Sequence, residues 1–256
     1  MFLYRISLLV LIFTISTLSC DSQKAFPKSS ATAPKHDQWD DLLKKYVSKS
    51  GIVNYKGFIK DSSELNEYLK LLSENAPDRK KWSDEEQIAY WINAYNAFTV
   101  QLIIRHYPLK SIKEIGGKIP FVNSTWDVKF INIGGTVMDL NNVEHGILRK
   151  EFKEPRIHYA VNCASVSCPI LRNEAYTAAK LNSQLDDQGK LFFNDSSRNK
   201  INSSKEAALS KIMDWYGGDF KKGGKTIIDH VNKYSKTKLD KKAKISYLTY
   251  NWNLNE

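Results

Sequence analysis

Residues 162–169 read NCASVSCP and hold Cys163 and Cys168, with His145 and His158 a short way upstream. A third cysteine, Cys20, stands alone near the start of the chain. Three chemistries fit the close pair. In an oxidising compartment the two cysteines close a structural disulfide. With a histidine at hand, either becomes a nucleophile, because the thiolate and not the thiol attacks. With both histidines they could ligate zinc, although C-x4-C is not the usual spacing for that metal. Metal binding ranks last, and nothing in the pattern calls for a cofactor.

Each histidine is judged by the element that carries it. Arg156 to Asn162 (RIHYAVN) alternates as a strand does. On a strand Ile157, Tyr159, Val161 and Cys163 share one face, and His158, Ala160 and Asn162 the other. His158 and Cys163 then lie about 16 Å apart along the chain, which makes them poor partners. His158 is expected to be an ordinary histidine bonded to a neighbouring helix. His145 is the better candidate base, since its short helix NVEHGILRKEF directly precedes the strand and can pack on it. Glu144 diverges from it by about 100° around the helix and reads more simply as the capping partner of Asn141. Cys168 is the second candidate nucleophile: if Pro169 opens a helix, the dipole there favours the Cys168 thiolate. Asn162, Asn93 and Asn96 are candidates to orient the base or polarise a carbonyl.

These groups need a scaffold. Ser83 and Glu86 form a capping box, and the helix behind them runs through IAYWINAYNAFTVQLIIRH to Pro108, apolar nearly all round and therefore central. A short amphipathic helix is expected over 64–74, and a hairpin over 127–139 about Gly134-Gly135. Further helices are expected near 176–193, 205–216 and 224–235, with a β-type segment over 245–254. The fold class is α+β: one predominantly helical domain with a small sheet.

The opening MFLYRISLLVLIFTISTLSC has one basic residue, an apolar run about half the length a membrane span needs, and a small-residue exit. It reads as a signal peptide over 1–19. Leu18-Ser19-Cys20 resembles a bacterial lipobox, although Thr17 stands where leucine is usual, so Cys20 is expected to be lipidated. Residues 20–38 are expected to be a flexible tether, and 39–256 the globular domain. The protein should then be held at a membrane of the cell envelope, periplasmic or at the outer surface, by its lipid. The whole chain carries a net charge of +10. Thirteen basic and five acidic residues fall between Arg198 and Lys244. The surplus there is nearly all dispersed lysine, which fits a solvated face better than a phosphate-gripping one. No nucleic-acid partner is expected.

Several motifs, in order, resemble the domain-of-unknown-function 547 family: WINAYNA at 91–97, VEHGILR at 143–149, PRIHYAVNCAS at 155–165 with Ser167-Cys168-Pro169, SKI at 210–212 with WYGGDF at 215–220, and YNWNLN at 250–255. The likeness runs from about residue 40 to the end. Where the family usually ends Tyr-Asp-Trp-Ser-Leu-Asn, this chain has Asn251 for the acid and Asn253 for the serine. The resemblance implies a fold and no settled reaction. Its cysteine and histidine motifs are similar in kind to thiol hydrolases of the papain or transglutaminase type. Two expectations follow: a cysteine-dependent hydrolase or acyltransferase acting on an amide, peptide or thioester, or a non-catalytic envelope module with a Cys163–Cys168 disulfide.

Overall fold

The computed structural model describes residues 25–117 and 124–256. The signal segment and Cys20 lie outside the described residues. The capping box forms as expected: Ser83 Oγ accepts from the Glu86 amide, and Glu86 returns the bond to the Ser83 amide. It opens the long helix Asp84–His106, which is buried continuously from Gln87 to Ile103. Helices Tyr55–Lys60 (α2) and Ser62–Glu74 (α3) pack on this helix, α4, and Asp37–Tyr46 (α1) packs on both of them. Trp39 stacks on Tyr68 at 5.8 Å between α1 and α3. Aromatic burial of this kind is the main source of core stabilisation.

The packed body begins within the segment expected as a tether over 20–38. Phe26 is buried against Trp91 at 5.6 Å, and Trp82 Nε1 donates to the Ser30 carbonyl at 2.9 Å. Phe26, together with Ala33 against the core, supplies the apolar surface that the composition of the wider segment conceals.

The hairpin forms from β1 (Ile131–Ile133) and β2 (Thr136–Met138), antiparallel. Gly134 and Gly135 take φ of 59° and 80°, the left-handed turn conformation that matches strand twist. After it, Asn142–Leu148 winds as a π-helix that runs on into Arg149–Glu151 (α5). The capping pair Asn141–Glu144 does not form. Instead the Asn142 amide donates to Asp139 Oδ1 at 2.6 Å, and the Asp139 amide to Asn142 Oδ1 at 3.2 Å. This frees Glu144 to turn inward.

The strand expected over 156–162 is a helical turn, Pro155–Tyr159. Pro155 presets φ, and the Glu154 side chain accepts from the Arg156 amide as a cap. No helix follows Pro169. Leu181–Phe193 (α6) follows, and then the expected helix over 205–216 divides. Glu206–Leu209 is β3, Ser210 caps, and Lys211–Trp215 is α7. β3 pairs in parallel with Lys244–Tyr247 (β4), and pairing across the fold overrides local helix preference there. Gly217–Phe220 (α8) and Ile227–Tyr234 (α9) complete the helices, closing a second apolar cluster around Tyr159, Phe192, Phe193, Phe220 and Val231. The described residues are about half helical with two small strand pairs, an α+β domain. Among them no helix is long and apolar enough to cross a membrane.

Candidate functional site

Several elements line a cavity of about 240 Å³. α4 contributes Tyr95, the π-helix Glu144 and His145, the turn at 155–159 His158, and the loop after it Cys163 and Cys168. Trp215 and Tyr216 close another side, and the C-terminal segment brings Tyr250 and Trp252. π-Helical turns are uncommon and tend to stand where a fold serves a function. Here the extra residue per turn carries Glu144 and His145 onto the cavity wall.

The cysteine loop is held by amides. Asn96 Nδ2 donates to the Ala160 carbonyl at 3.0 Å, and Asn96 Oδ1 accepts from the Asn162 amide at 2.8 Å. Asn162 Nδ2 donates to the Pro169 carbonyl, and its Oδ1 accepts from Ala164 N–H, both at 2.8 Å. Asn93 grips the backbone of Tyr176 with both ends of its amide. All three asparagines hold backbone, and none of them lines the cavity. Ala164, fully buried, has φ of 59°, a left-handed conformation that costs a non-glycine residue about 1 kcal/mol. That reversal turns the chain so that Cys168 comes back on Cys163.

The two sulfurs lie 2.7 Å apart, and both thiols are free. The Cys163 amide donates to Cys168 Sγ at 3.0 Å. Tyr250 Oη stands 3.4 Å from Cys163 Sγ and accepts from Ser165 Oγ at 3.1 Å. Burial alone would push the Cys168 thiol up. Hydrogen bonds from the Cys163 thiol, Tyr250, the Cys163 amide and Ser165 overcome that and bring it down to about 7. Cys163 moves the opposite way, raised well above the ordinary thiol range by its bond to Cys168 and by burial. The proton is therefore held more tightly on Cys163 than on Cys168. The helix dipole expected at Cys168 plays no part, since hydrogen-bond donors do that work.

The two histidines differ in what their hydrogen bonds leave open on the ring. Arg149 Nη1 donates to His145 Nδ1 at 2.7 Å, which leaves the proton on Nε2 and no free lone pair on the ring. His158 Nε2 donates to Asp219 Oδ2 at 2.9 Å. Its Nδ1 is buried with no partner, and the ring lies on Tyr216 with centroids 3.9 Å apart. Burial lowers the His158 pKa, against the pull of Asp219, so the ring is neutral and Nδ1 carries an open lone pair. Asp219 takes further bonds from Arg149 Nε and Lys222, and with that from His158 these hold it well below the usual carboxylate range. The 16 Å separation expected of His158 and Cys163 required a strand. With the turn in its place, both line one cavity. Among the described residues neither histidine hydrogen-bonds a sulfur, and no group of three or more His, Cys, Asp and Glu is placed to hold a metal.

The family described as protein of unknown function, DUF547, matches residues 79–193. Over that stretch the chain is similar to this family. The match is shorter than the resemblance read from about residue 40 onward. It contains α4, the π-helix and the cysteine loop, while Tyr216 and Tyr250 of the same cavity, and Asp219 behind His158, lie beyond it. No curated protein and no solved structure matches the chain. Asn251, which stands where the resembling motif usually has an acid, is exposed and accepts from the Asn253 amide at 3.0 Å. It shapes the C-terminal turn and does not enter the cavity lining. Asp219, Tyr216, Tyr250 and Ser165 were not singled out as site residues by sequence reasoning. The one available signal was that WYGGDF and the terminal YNWNLN recur among the resembling motifs.

Proposed function

We propose that the domain is a cysteine-dependent hydrolase or acyltransferase acting on an amide, peptide or thioester. The observation that carries this reading is His158: neutral, fixed at Nε2 by Asp219, with a bare Nδ1 in the wall that also holds the thiol pair. Cys163 is the more accessible sulfur and is the assigned nucleophile. Its sulfur attacks the substrate carbonyl and its proton passes to His158 Nδ1. The leaving amine or thiol takes that proton as the carbonyl–heteroatom bond breaks, giving a thioester at Cys163. Water, or an acceptor amine or alcohol, then attacks the thioester with His158 again as base, and the thiol is restored. Asp219 positions the ring and stabilises its charged form. The likeness to papain- or transglutaminase-type hydrolases belongs to this proposal and is one of roles, not of fold. The anchoring reading joins it: a lipid at Cys20 would hold the domain at an envelope membrane.

The 2.7 Å between sulfurs favours a second reading. Thiol–disulfide exchange with an oxidised partner would close Cys163–Cys168 and leave a non-catalytic binding module. One experiment separates the two. The native protein is titrated for thiols with and without reductant, then exposed to iodoacetamide, with the modified cysteine read by mass spectrometry. Free thiol and fast modification that His158→Ala slows by about a hundredfold, the scale of general-base assistance, support the enzyme. A disulfide in the native protein, together with unchanged folding of the Cys163→Ser/Cys168→Ser pair, supports the module.

A further inference from the structure

The cavity lining differs in charge from the chain as a whole, although Lys113 lies over the Trp252 ring at 5.1 Å and Arg149 over Tyr216 at 4.9 Å from outside it. Across the whole sequence the net charge is +10. Yet among the described residues no lysine or arginine lines the cavity, and its one carboxylate is Glu144. That side chain is 4% exposed, and Oε1 has no hydrogen-bond partner. A buried acceptor left unpaired is costly, so it marks a place that another molecule completes. Its surroundings are aromatic: Trp126, Trp215, Tyr216, Tyr250 and Trp252 line the same space. Tyr250 and Trp252 meet at 4.5 Å, Trp215 and Tyr250 at 4.8 Å, and Trp215 remains 47% exposed at the mouth. Ring faces carry negative potential and attract cations, most strongly in tryptophan. His158, neutral and offering only Nδ1, adds a second acceptor and no competing charge.

We infer that the cavity recognises a protonated amine on the acyl portion of its substrate, seated on Glu144 Oε1 within the aromatic wall. The inference rests on the proposed thiol chemistry and names the substrate class for it: an amide, peptide or thioester whose acyl group bears a primary ammonium. That ammonium belongs either to a free N-terminus or to an amino-bearing side chain. An anionic acyl group meets a buried carboxylate and is rejected.

Three acyloxymethyl ketone probes that alkylate thiols test this on the full chain: alanyl with its free α-amine, N-acetylalanyl, and N-acetyllysyl. Rates at Cys163 are read by mass spectrometry. Labelling by the alanyl probe at least about tenfold faster than by N-acetylalanyl identifies an N-terminal amine, and the same advantage for N-acetyllysyl identifies a side-chain amine. Glu144→Gln brings the favoured ratio close to one. Tryptophan fluorescence of Cys163→Ser titrated with alaninamide and with N-acetylalaninamide gives a second readout that needs neither reactivity nor a change at Glu144, and only the charged amine should shift it. Equal rates for all three probes, with no amine-specific fluorescence change, overturn the inference. If iodoacetamide still modifies Cys163 in a His158-dependent way, the proposed function survives that result. If no reagent modifies either cysteine, both fall.

Discussion

His158 Nε2 donates to Asp219 Oδ2 at 2.9 Å, and the same oxygen accepts from Arg149 Nε at 2.6 Å. The carboxylate thus joins the buried histidine to an arginine whose other arm holds His145. One acid fixes the tautomers of both rings, directly for His158 and through Arg149 for His145. Asp219→Asn presents His158 with an amide that can donate at Nε2, which would move the ring proton to Nδ1 and remove the base. The expected result is a loss of about a hundredfold in Cys163 acylation by a thioester substrate. Asp219→Ala should lose less, because it leaves the tautomer free. Stopped-time mass spectrometry of the acyl-enzyme checks the order, and equal rates for the three proteins would remove Asp219 from the site.

The thiol pair sets a pH dependence. With Cys168 at about 7 and Cys163 far above it, modification at Cys168 should rise through pH 7 and level off, while modification at Cys163 depends on His158 to take its proton. Tyr250 is one of the donors that hold Cys168 down. Tyr250→Phe should therefore move the inflection upward while leaving the fold intact, since the ring still packs between Trp215 and Trp252. Rates of iodoacetamide modification from pH 5 to 9 measure both curves. Superimposed curves would show that Tyr250 has no hold on the pair.

Much of the scaffold was legible in the sequence because its signals are local. The Ser83 capping box and the unbroken apolar run behind it announce α4, and Gly134-Gly135 announces the hairpin. The cysteine pair and both histidines were also readable as candidates. Their pairing was not. Residues 156–162 alternate as a strand, but the Glu154 cap and Pro155 tip them into a helical turn, and every inference from strand faces reversed with it. Glu144 has the spacing of a capping residue, yet Asp139 and Asn142 take that role from two residues earlier. Asp219 meets His158 across 61 residues, and Tyr250 meets Cys163 across 87. No periodicity or spacing rule reaches such distances.

Asn96 links the central helix to the reactive loop. Asn96→Ala would leave the Ala160 carbonyl and the Asn162 amide without partners in the core, at about 3 kcal/mol. Thermal denaturation should fall by roughly 10 °C. Cys163 labelling at temperatures where the variant stays folded should also slow, because the loop loses its register on α4. Asn96→Asp keeps the acceptor for Asn162 but sets an oxygen against the Ala160 carbonyl and buries a charge, so it should lose at least as much. A variant as stable as the wild type would mean that the loop is fixed from elsewhere, Arg198 on the Cys168 and Val166 carbonyls being the alternative clamp.

His36 gives a stability test remote from the chemistry. It is buried at the head of α1, and Tyr68 Oη donates to its Nδ1 at 2.7 Å. Burial lowers its pKa to about 4, with Asp37 opposing weakly. Between about 4 and 6.5 the unfolded chain binds a proton that the folded chain excludes, so stability is full above that window and is lost as pH falls through it. The shift corresponds to roughly 3 kcal/mol at the acid end. His158 and His230, also lowered by burial, act in the same direction, so the wild-type slope contains more than one histidine. His36→Asn isolates the first: its Oδ1 can accept from Tyr68 and cannot titrate. Urea midpoints at pH 4.5 and 7.5 should therefore differ less in the variant than in the wild type. Equal differences would place the acid sensitivity in the other two rings.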